Sequence, residues 1–299
     1  MTPLLYPLVR IRNIFFEPEG CPILAYHNIT ESGMIGKRWL NVSSKSFMKQ
    51  MAYLYHNHYH VIKLEDFVRF MNKEDSIPKK SVVITFDDGY KNIYRIAYPI
   101  LKEHDFPATL FLTSAFIGKK AIFPWLESNR DVSQRIRENE SEWLPLSWRE
   151  VKEMSTNGIS IGSHTMTHPR LGALDEKEMA WEIRESKNMI ERKIGKRVSL
   201  FAYPFSLLHS RISVERGALD SIRDVLTEVQ FDAACSTEIG RNCKNTDRFV
   251  LRRIQIEEED SLIHFKAKIH GAYDWVRMMQ RLSTELTKIL HRFGASWDP

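Results

Sequence analysis

Two pairs of side chains in this sequence have types and spacings that suit catalysis at a metal ion. Asp87 and Asp88 are adjacent in "SVVITFDDGY", and His164 and His168 are four residues apart in "GSHTMTHPRL". Two imidazoles at this spacing lie on one face of a helical turn and can reach one ion. Two histidines and one carboxylate, with open positions for water, are a recognised catalytic set for zinc and some other first-row metals. Either aspartate could be that carboxylate, and the other could accept a proton.

Each reactive group follows a segment whose pattern predicts a β-strand. The aspartates follow "VVITF", the histidines follow "ISIG", and the motif "AYPF" closes a strand that starts at Ser199. Tyr26 and His27 end the first strand, in "PILAYHNI". In parallel α/β architectures, ligands and catalytic groups collect at the carboxyl ends of the strands. The shared placement therefore predicts that these groups meet in one site.

Glycine and proline are expected to shape the turns that carry these groups. The first of these strands should break at Gly89, where both carboxylates can turn towards one cavity. A cation bound there would offset the repulsion between them and favour their ionised forms. Pro169 disfavours a helix continuing past His168, so the histidine pair is predicted on a short turn just after its strand.

Along the rest of the chain, apolar blocks alternate with blocks of helical period. The predicted strands are continuous apolar runs, and helices such as Ser147–Gly158 and Asp175–Gly195 separate them. This order predicts one α/β domain, with either a parallel sheet covered on both sides or a barrel. We predict an N-terminal extension over 1–20, a domain over 21–299 that ends in a helical tail, and an insertion at about 119–142. The insertion is interpreted either as a solvated excursion or as a lid.

The composition of the 299-residue chain is that of a globular protein with a net charge of +5. Its 43 basic and 38 acidic residues are interspersed, which argues against a nucleic-acid partner.

Three cysteines without C-x-x-C spacing favour a reducing compartment over a disulfide framework. No segment has the roughly 20 apolar residues that span a bilayer, and the opening "MTPLLYPLVRIRNIFF" lacks the pattern of an export signal. We predict a cytoplasmic protein whose opening segment could lie on the inner face of the membrane. The oligomeric state is left open.

Together the motifs resemble those of the polysaccharide deacetylase family, carbohydrate esterases that include chitin and peptidoglycan deacetylases. The resemblance rests on "TFDDGY", "SHTMTHPRL" and "FAYPFS", is supported by "ILAYHNI", "FPATLFL" and "LSWREVKEM", and covers roughly residues 21–255. It implies a distorted (β/α) barrel of about seven strands. It also implies metal-dependent hydrolysis of an N-acetyl or O-acetyl group. The "FAYPF" form is similar to the branch that acts on exopolysaccharides and surface glycans.

The resemblance also assigns roles to the reactive groups. Carried over by position, Asp87 matches the catalytic base, Asp88 the metal-binding aspartate, and His164 and His168 the metal-binding histidines. The ion implied is divalent, with zinc preferred over cobalt, nickel or manganese. The backbone N–H of Phe205 is implied to help hold the oxyanion of the reaction.

The third motif departs from the family pattern. Ala202 stands where many members carry an arginine that pairs with the catalytic aspartate, and Arg253 in "LRRIQI" could supply the missing positive charge. The general acid could be His27 or His264. If neither serves, Asp87 or solvent would protonate the leaving amine. Substrate contacts are predicted for the third motif and for one aromatic residue of the insertion: Tyr203, Pro204, Phe205 and Trp125.

The leading hypothesis is therefore a metal-dependent deacetylase. Its substrate would be an acetylated amino sugar, most readily an N-acetylated one, in a polysaccharide or a glycan precursor. One alternative is hydrolysis of another amide, such as a formylated amino sugar or a cyclic amide, on the same fold. A second is a glycan-binding protein that keeps the fold without catalysis.

Overall fold

A computed structural model describes residues 19–31, 40–126, 136, 138–205 and 218–272. The predicted N-terminal extension up to residue 18 and the predicted helical tail beyond residue 272 lie outside the described residues. The strands of the described part are β1 (Ile23–Tyr26), β2 (Asn28–Thr30), β3 (Asn41–Ser43), β4 (His60–Val61), β5 (Ser81–Phe86), β6 (Ala108–Leu112), β7 (Ile159–Ser163), β8 (Leu200–Ala202), β9 (Ala233–Ile239) and β10 (Leu251–Gln255). Its α-helices are α1 (Ser44–His56), α2 (Leu64–Met71), α3 (Tyr98–Glu103), α4 (Trp148–Thr156), α5 (Glu176–Ile194), α6 (Ala218–Glu228) and α7 (Leu262–Ile269).

Seven strands form a closed, all-parallel barrel in the order β1, β5, β6, β7, β8, β9, β10. The barrel closes at β1, where Ala25 pairs with Thr85 of β5 on one side and with Gln255 of β10 on the other. Strand β4 pairs with the first residues of β5, and β2 and β3 form a separate two-stranded sheet. The predicted (β/α) barrel is confirmed, and closure decides against an open sheet.

The barrel interior is filled by side chains that alternate along the strands. Ile23, Val83, Phe111 and Leu251 belong to one buried cluster, to which α2 contributes its apolar face. Because the strands pair in register, every second residue points inwards, towards this cluster or above it. Helix α2 therefore packs at the amino-terminal end of the barrel, and the carboxyl-terminal end is left for polar groups.

The boundaries of two helices follow from their caps, as the sequence predicts. Helix α4 begins after Ser147, which forms a capping box with Glu150. Helix α5 begins after Asp175 and ends at Gly195, whose φ of 72° is left-handed.

The segment from Asn92 to His104 has a helical period that predicts one helix, but the structure divides it into two parts. A π-helical turn spans Ile93–Ala97 and precedes α3. Pro99 lies in the first turn of α3 and lacks the N–H that an α-helix would use there, so the hydrogen bonding of the preceding turn is altered.

The described part of the insertion is packed at some residues and exposed at others. Short 3₁₀ turns lie at Pro124–Leu126 and Glu140–Glu142, and the side chains of Phe123 and Ile136 are fully buried. The carbonyl of Glu142 accepts a hydrogen bond from the Asn28 side chain of β2. Phe123 and Ile136 are thus packed, whereas residues 119–121 and 138–141 are exposed, and the interpretation of the insertion as a solvated excursion or as a lid stays a prediction.

The first and last residues of the chain segment that forms the described barrel lie close together. The guanidinium of Arg241 donates hydrogen bonds to the carbonyl of Gly20, just before β1, and to the carbonyl of Ile269, at the end of α7. None of the described helices is both long enough and apolar enough to cross a membrane.

Candidate active site

Four polar side chains face the barrel interior just above the apolar cluster. His27 lies two residues beyond Ala25, Asp87 two residues beyond Thr85, and Arg253 and Gln255 are the inward residues at the end of β10. Because β1 lies between β5 and β10 in register, these four side chains are brought side by side. Sequence separations of up to 228 residues are thereby reduced to direct contact.

Asp88, His164 and His168 form a group that could hold a metal ion. Oδ1 of Asp88 lies 3.6 Å from Nε2 of His164 and 3.4 Å from Nε2 of His168. Ligands about 2.0 to 2.1 Å from a zinc ion, at tetrahedral angles, are about 3.3 to 3.5 Å apart. The same Oδ1 is buried and has no hydrogen-bond partner. A buried carboxylate oxygen without a donor, facing two imidazole nitrogens, fits a bound cation.

The tautomer of His164 is fixed for binding a metal. Its Nδ1 lies 2.8 Å from the carbonyl of Ala202, to which it donates, so Nε2 is left as the ligand atom. Burial lowers the pKa of His164 and lowers the pKa of His168 well below its usual range. Burial, together with the neighbouring Asp87 carboxylate, raises the pKa of Asp88 well above its usual range. Two neutral imidazoles beside a carboxylate that needs a counter-charge form a suitable donor set for a divalent cation.

The turn that carries both histidines is held by Glu182 of α5. Its carboxylate accepts hydrogen bonds from the backbone N–H groups of Met166 and Thr167, at 2.8 and 2.9 Å, and from the Thr167 hydroxyl at 2.5 Å. The N–H of His168 donates to the hydroxyl of Thr165. The predicted short turn after β7 is confirmed, and a buried helix residue anchors it.

Asp87 forms a buried bidentate ion pair with Arg253. The two guanidinium nitrogens lie 2.7 and 2.8 Å from the two carboxylate oxygens, and the third nitrogen donates to the carbonyl of Ser236. Burial alone would raise the pKa of Asp87, but the charge and hydrogen bonds of Arg253 outweigh it and hold the pKa well below its usual range. Arg253 thus places a positive charge beside the Asp87 carboxylate, and the alanine at position 202 cannot supply that charge.

His27 lies beside the same carboxylate. Its Nε2 is 3.9 Å from Oδ2 of Asp87, and its Nδ1 is 3.3 Å from the side-chain nitrogen of Gln255. Burial lowers the pKa of His27 to about 4, with the charges of Arg253 and His164 acting in the same direction and that of Asp87 opposing them. His27 is therefore neutral in this environment at neutral pH.

Aromatic rings wall one side of the site. The ring of His168 stacks on Trp125 at 4.4 Å and meets Phe205 edge-on at 4.8 Å. Trp125 also stacks on Phe123 and donates a hydrogen bond to the hydroxyl of Tyr90. The rings limit how far His168 can turn, which favours a preformed ligand geometry.

Left-handed backbone conformations occur just after three of the strands that contribute to the site, β5, β7 and β8. The φ angles of Asp88, Thr165, His168 and Phe205 are 69°, 65°, 66° and 60°. Gly89 has φ 97°, and a β-carbon there would lie 2.7 Å from the Ile117 side chain. Such conformations cost on the order of 1–3 kcal/mol each in non-glycine residues and cluster at functional sites.

Comparison with known proteins identifies the family. The family model described as polysaccharide deacetylase matches residues 74–219, which include Asp87, Asp88 and both metal-site histidines. The chain carries a polysaccharide deacetylase domain.

Relatives of this deacetylase domain cover most of the chain. The YxkH protein of Bacillus subtilis is 26% identical over 255 residues, which are 85% of this chain and 78% of that protein. The poly-β-1,6-N-acetyl-D-glucosamine N-deacetylase of Staphylococcus aureus is 26% identical over 218 residues, 66% of this chain and 69% of that protein.

Two solved structures share the fold of the deacetylase domain. The Streptococcus pyogenes deacetylase PplD has a TM-score of 0.65 at 22% identity, and the match covers 84% of this chain and 99% of that one. IcaB from Ammonifex degensii has a TM-score of 0.65 at 20% identity, covering 86% and 98%.

The third motif of the deacetylase domain contributes less than the sequence predicts. The Tyr203 side chain is fully buried, its hydroxyl donates to the carbonyl of Phe249, and its N–H donates to the carbonyl of Cys235. The side chain and the N–H of Tyr203 thus have partners within the protein, and its substrate contact stays a prediction. Pro204 is buried as well, and Phe205 is partly exposed at the site wall. Within the part of the chain that the structure describes, no acceptor takes the N–H of Phe205.

The other predicted residues are divided between the site and the surface. His27, Asp87 and Arg253 meet one another, and Trp125 lies against His168. His264 lies in the first turn of α7, where it is partly exposed and its ring contacts the Ser261 hydroxyl, so it is not part of this group. The roles of these residues in the reaction stay predictions.

Two residues of the site were not predicted from the sequence. Glu182 interrupts the apolar face of α5 between Met179 and Ile183, and a buried acid on such a face is a signal of a specific partner. Gln255 gave no signal, because a glutamine at a strand end is ordinary and its contact with His27 depends on barrel closure.

Proposed function

We propose that this protein is a metal-dependent deacetylase that removes N-acetyl groups from an amino-sugar polymer. The observation that carries the proposal is the placement of Asp87, paired with Arg253, directly beside the group formed by Asp88, His164 and His168. A base and a three-ligand metal site at one barrel end are the parts needed for metal-assisted hydrolysis of an amide. The Staphylococcus aureus relative supports a poly-N-acetylglucosamine substrate.

Each residue of the site would have one role in the reaction. Asp88, His164 and His168 would hold the cation, zinc being our first choice for two histidines and one carboxylate. When bound, the cation would polarise the acetyl carbonyl and lower the pKa of a water molecule. Asp87 would accept the proton of the attacking water, and Arg253 would keep Asp87 ionised and oriented. The N–H of Phe205 would donate to the developing oxyanion.

The test is acetate release by purified, zinc-loaded protein from β-1,6-linked N-acetylglucosamine oligomers, with chitin oligomers in parallel. We expect Asp87→Asn to reduce turnover by roughly 10²–10⁴-fold. Bound zinc, measured by elemental analysis, should stay at the wild-type level because Asp88 and both histidines are unchanged. Full turnover in Asp87→Asn, or a wild-type protein that binds no divalent ion, would contradict the proposal.

The location of the protein is a separate proposal. The cysteine usage supports a cytoplasmic protein, and the apolar and basic residues of the opening segment suit contact with the inner membrane face, where it would act on a glycan or its precursor. Fractionation of cells that express the full chain tests it, and recovery of the protein outside the cell would contradict it.

A further inference from the structure

Two positively charged side chains lie beside the candidate active site, and each rests on an aromatic ring. The guanidinium of Arg170 lies over the ring of Phe205, 4.2 Å from its centre. The ammonium of Lys119 lies over the ring of Phe116, 4.9 Å from its centre. Both charged side chains are exposed, and the proposed function gives neither of them a task.

The two rings that carry these cations are connected to the metal-site histidine by ring contacts. Phe205 meets the ring of His168 edge-on at 4.8 Å. Phe116 meets Trp125 edge-on at 5.6 Å, and Trp125 stacks on His168 at 4.4 Å. We call these four rings the aromatic wall. The cation over Phe205 is therefore one ring away from His168, so a group that it binds would lie close to the reacting acetyl group.

The protein provides no counter-charge for the Arg170 guanidinium. Among the residues that the structure describes, Arg170 forms no ion pair and no side-chain hydrogen bond. The acids of adjoining elements have other partners, since Asp175 caps α5 and Glu182 holds the histidine turn. Glu238 of β9 lies 3.9 Å from Arg252. Unpaired cations are ordinary on protein surfaces, but this one is held on a ring beside the metal site, where a ligand can use its charge.

The stack on Phe205 prepares Arg170 to recognise an anion. A guanidinium that rests on an aromatic face keeps its N–H donors at the edge of its plane, and the contact limits its rotation. This planar fork matches the paired oxygens of a carboxylate or a phosphate. A sugar hydroxyl also accepts a hydrogen bond, but it carries no charge to complement the guanidinium. Charge and geometry together favour an acidic group.

The charge of the expected product favours the same conclusion. Removal of N-acetyl groups leaves amines, which are positively charged when they are protonated. A polymer of N-acetylglucosamine alone would therefore be repelled more strongly by the two cations as deacetylation proceeds. An acidic group beside the reacting sugar would offset this repulsion.

We propose that Arg170 is a specificity-determining residue that binds an acidic group of the glycan, a carboxylate or a phosphate, next to the sugar that loses its acetyl group. Lys119 adds a second positive charge at the other end of the aromatic wall. This inference rests on the proposed function. It narrows the substrate from amino-sugar polymers in general to those with acidic groups beside the acetylated amino sugars.

The kinetic test uses pairs of oligomers that differ only in charge. In the first pair, N-acetylglucosamine alternates with glucuronate or, after carboxyl reduction, with glucose. In the second pair, phosphodiesters or uncharged methyl phosphotriesters join N-acetylglucosamine residues, so the two pairs distinguish a carboxylate from a phosphate. We expect zinc-loaded wild-type protein to have a kcat/KM roughly 10–100-fold higher for the acidic member of at least one pair at low ionic strength. Equal values within both pairs would overturn the proposal.

Variants assign this preference to a side chain. Arg170→Met keeps an apolar side chain for packing on Phe205 and should lower the acidic-to-neutral ratio of kcat/KM to about one. Arg170→Lys keeps the charge without the planar fork and should give an intermediate ratio. Lys119→Met should lower the ratio by about two- to fivefold, as expected for an exposed charge. Arg192→Met, in the last turn of α5, is the matched control and should keep the wild-type ratio. An unchanged ratio in Arg170→Met, or an equal loss in the control, would overturn the proposal.

Binding measurements separate this inference from the proposed function. In the slow variant Asp87→Asn, titration calorimetry gives the Kd of each oligomer without appreciable turnover. We expect the acidic oligomer to bind roughly 10–100-fold more tightly than its neutral partner, and added Arg170→Met to abolish the difference. A wild-type protein that deacetylates none of the oligomers would contradict the proposed function, while these Kd values would still test the role of Arg170. An active protein that binds acidic and neutral oligomers equally would leave the proposed function standing and overturn the inference.

Discussion

The ion pair between Asp87 and Arg253 is almost completely buried and sets the charge of the site. Removing one partner leaves the other charge without compensation in a place that water does not reach. For Arg253→Met we expect the free energy of unfolding to fall by roughly 3–5 kcal/mol, measured by urea denaturation. The double variant with Asp87→Leu removes both charges and should recover much of the loss. Equal destabilisation in the single and double variants would show that Arg253 matters through its packing alone.

His27 gives the stability of the metal-free protein a pH dependence. Its pKa is about 4 in the folded protein and about 6.5 when unfolded, so the unfolded state binds a proton that the folded state refuses. As the pH falls from 6.5 to 4, this group should lower the free energy of unfolding by about 1.4 kcal/mol per pH unit. His27→Gln should remove that slope and leave the contributions of His164 and His168 in place. Parallel curves for the two proteins in the presence of a chelator would contradict the prediction.

Single residues of the site differ in how far the sequence reveals them. Asp87, Asp88, His164 and His168 lie in short motifs, so residue type and spacing were enough to group them. Gln255 belongs to no motif, and its contact exists only because β1 is inserted between two strands that are distant in sequence. Local patterns cannot encode such a contact.

At the scale of elements, α5 holds the histidine turn through one side chain. Glu182 accepts three hydrogen bonds from Met166 and Thr167, so Glu182→Ala should loosen the turn and weaken zinc binding by roughly 10–100-fold. Glu182→Gln keeps an oxygen for the backbone N–H groups and should bind zinc more tightly than the alanine variant. Titration calorimetry measures both. Glu178→Ala, on the exposed side of the same helix, is the matched control, and equal zinc affinity in Glu182→Ala and this control would refute the role of Glu182.

Element boundaries were predictable where local chemistry sets them. Ser147 and Asp175 cap their helices, and Gly195 ends one, because each satisfies backbone groups within a few residues. The packing of Phe123 and Trp143 was not predictable, because a polar segment of this length gives no sign of which rings the core accepts. Long-range packing, which the composition of the segment does not reveal, therefore determines which of its aromatic side chains are buried.

For the whole molecule, a bound cation should couple the strands that supply its ligands. Asp88 follows β5, and His164 and His168 follow β7, so an ion joins elements that are separated by β6. Zinc at 100 times its dissociation constant should add about 2.7 kcal/mol to the stability of the folded state. The melting temperature should therefore rise with zinc in the wild type and much less in His164→Ala. A rise of the same size in His164→Ala would place the zinc elsewhere.

The hydrogen bonds of Arg241 to Gly20 and Ile269 bring the start and the end of the described barrel segment close together. Since one guanidinium spans the start and the end of the described barrel, a short linker could join residue 270 to residue 20 without separating any pair of strands. The chain could then be opened at the exposed Asp75, between α2 and β5. Exposed loops of this kind are where circular permutation succeeds. Because the strands form a closed ring, their order in space does not depend on which connection between strands is cut to give the termini.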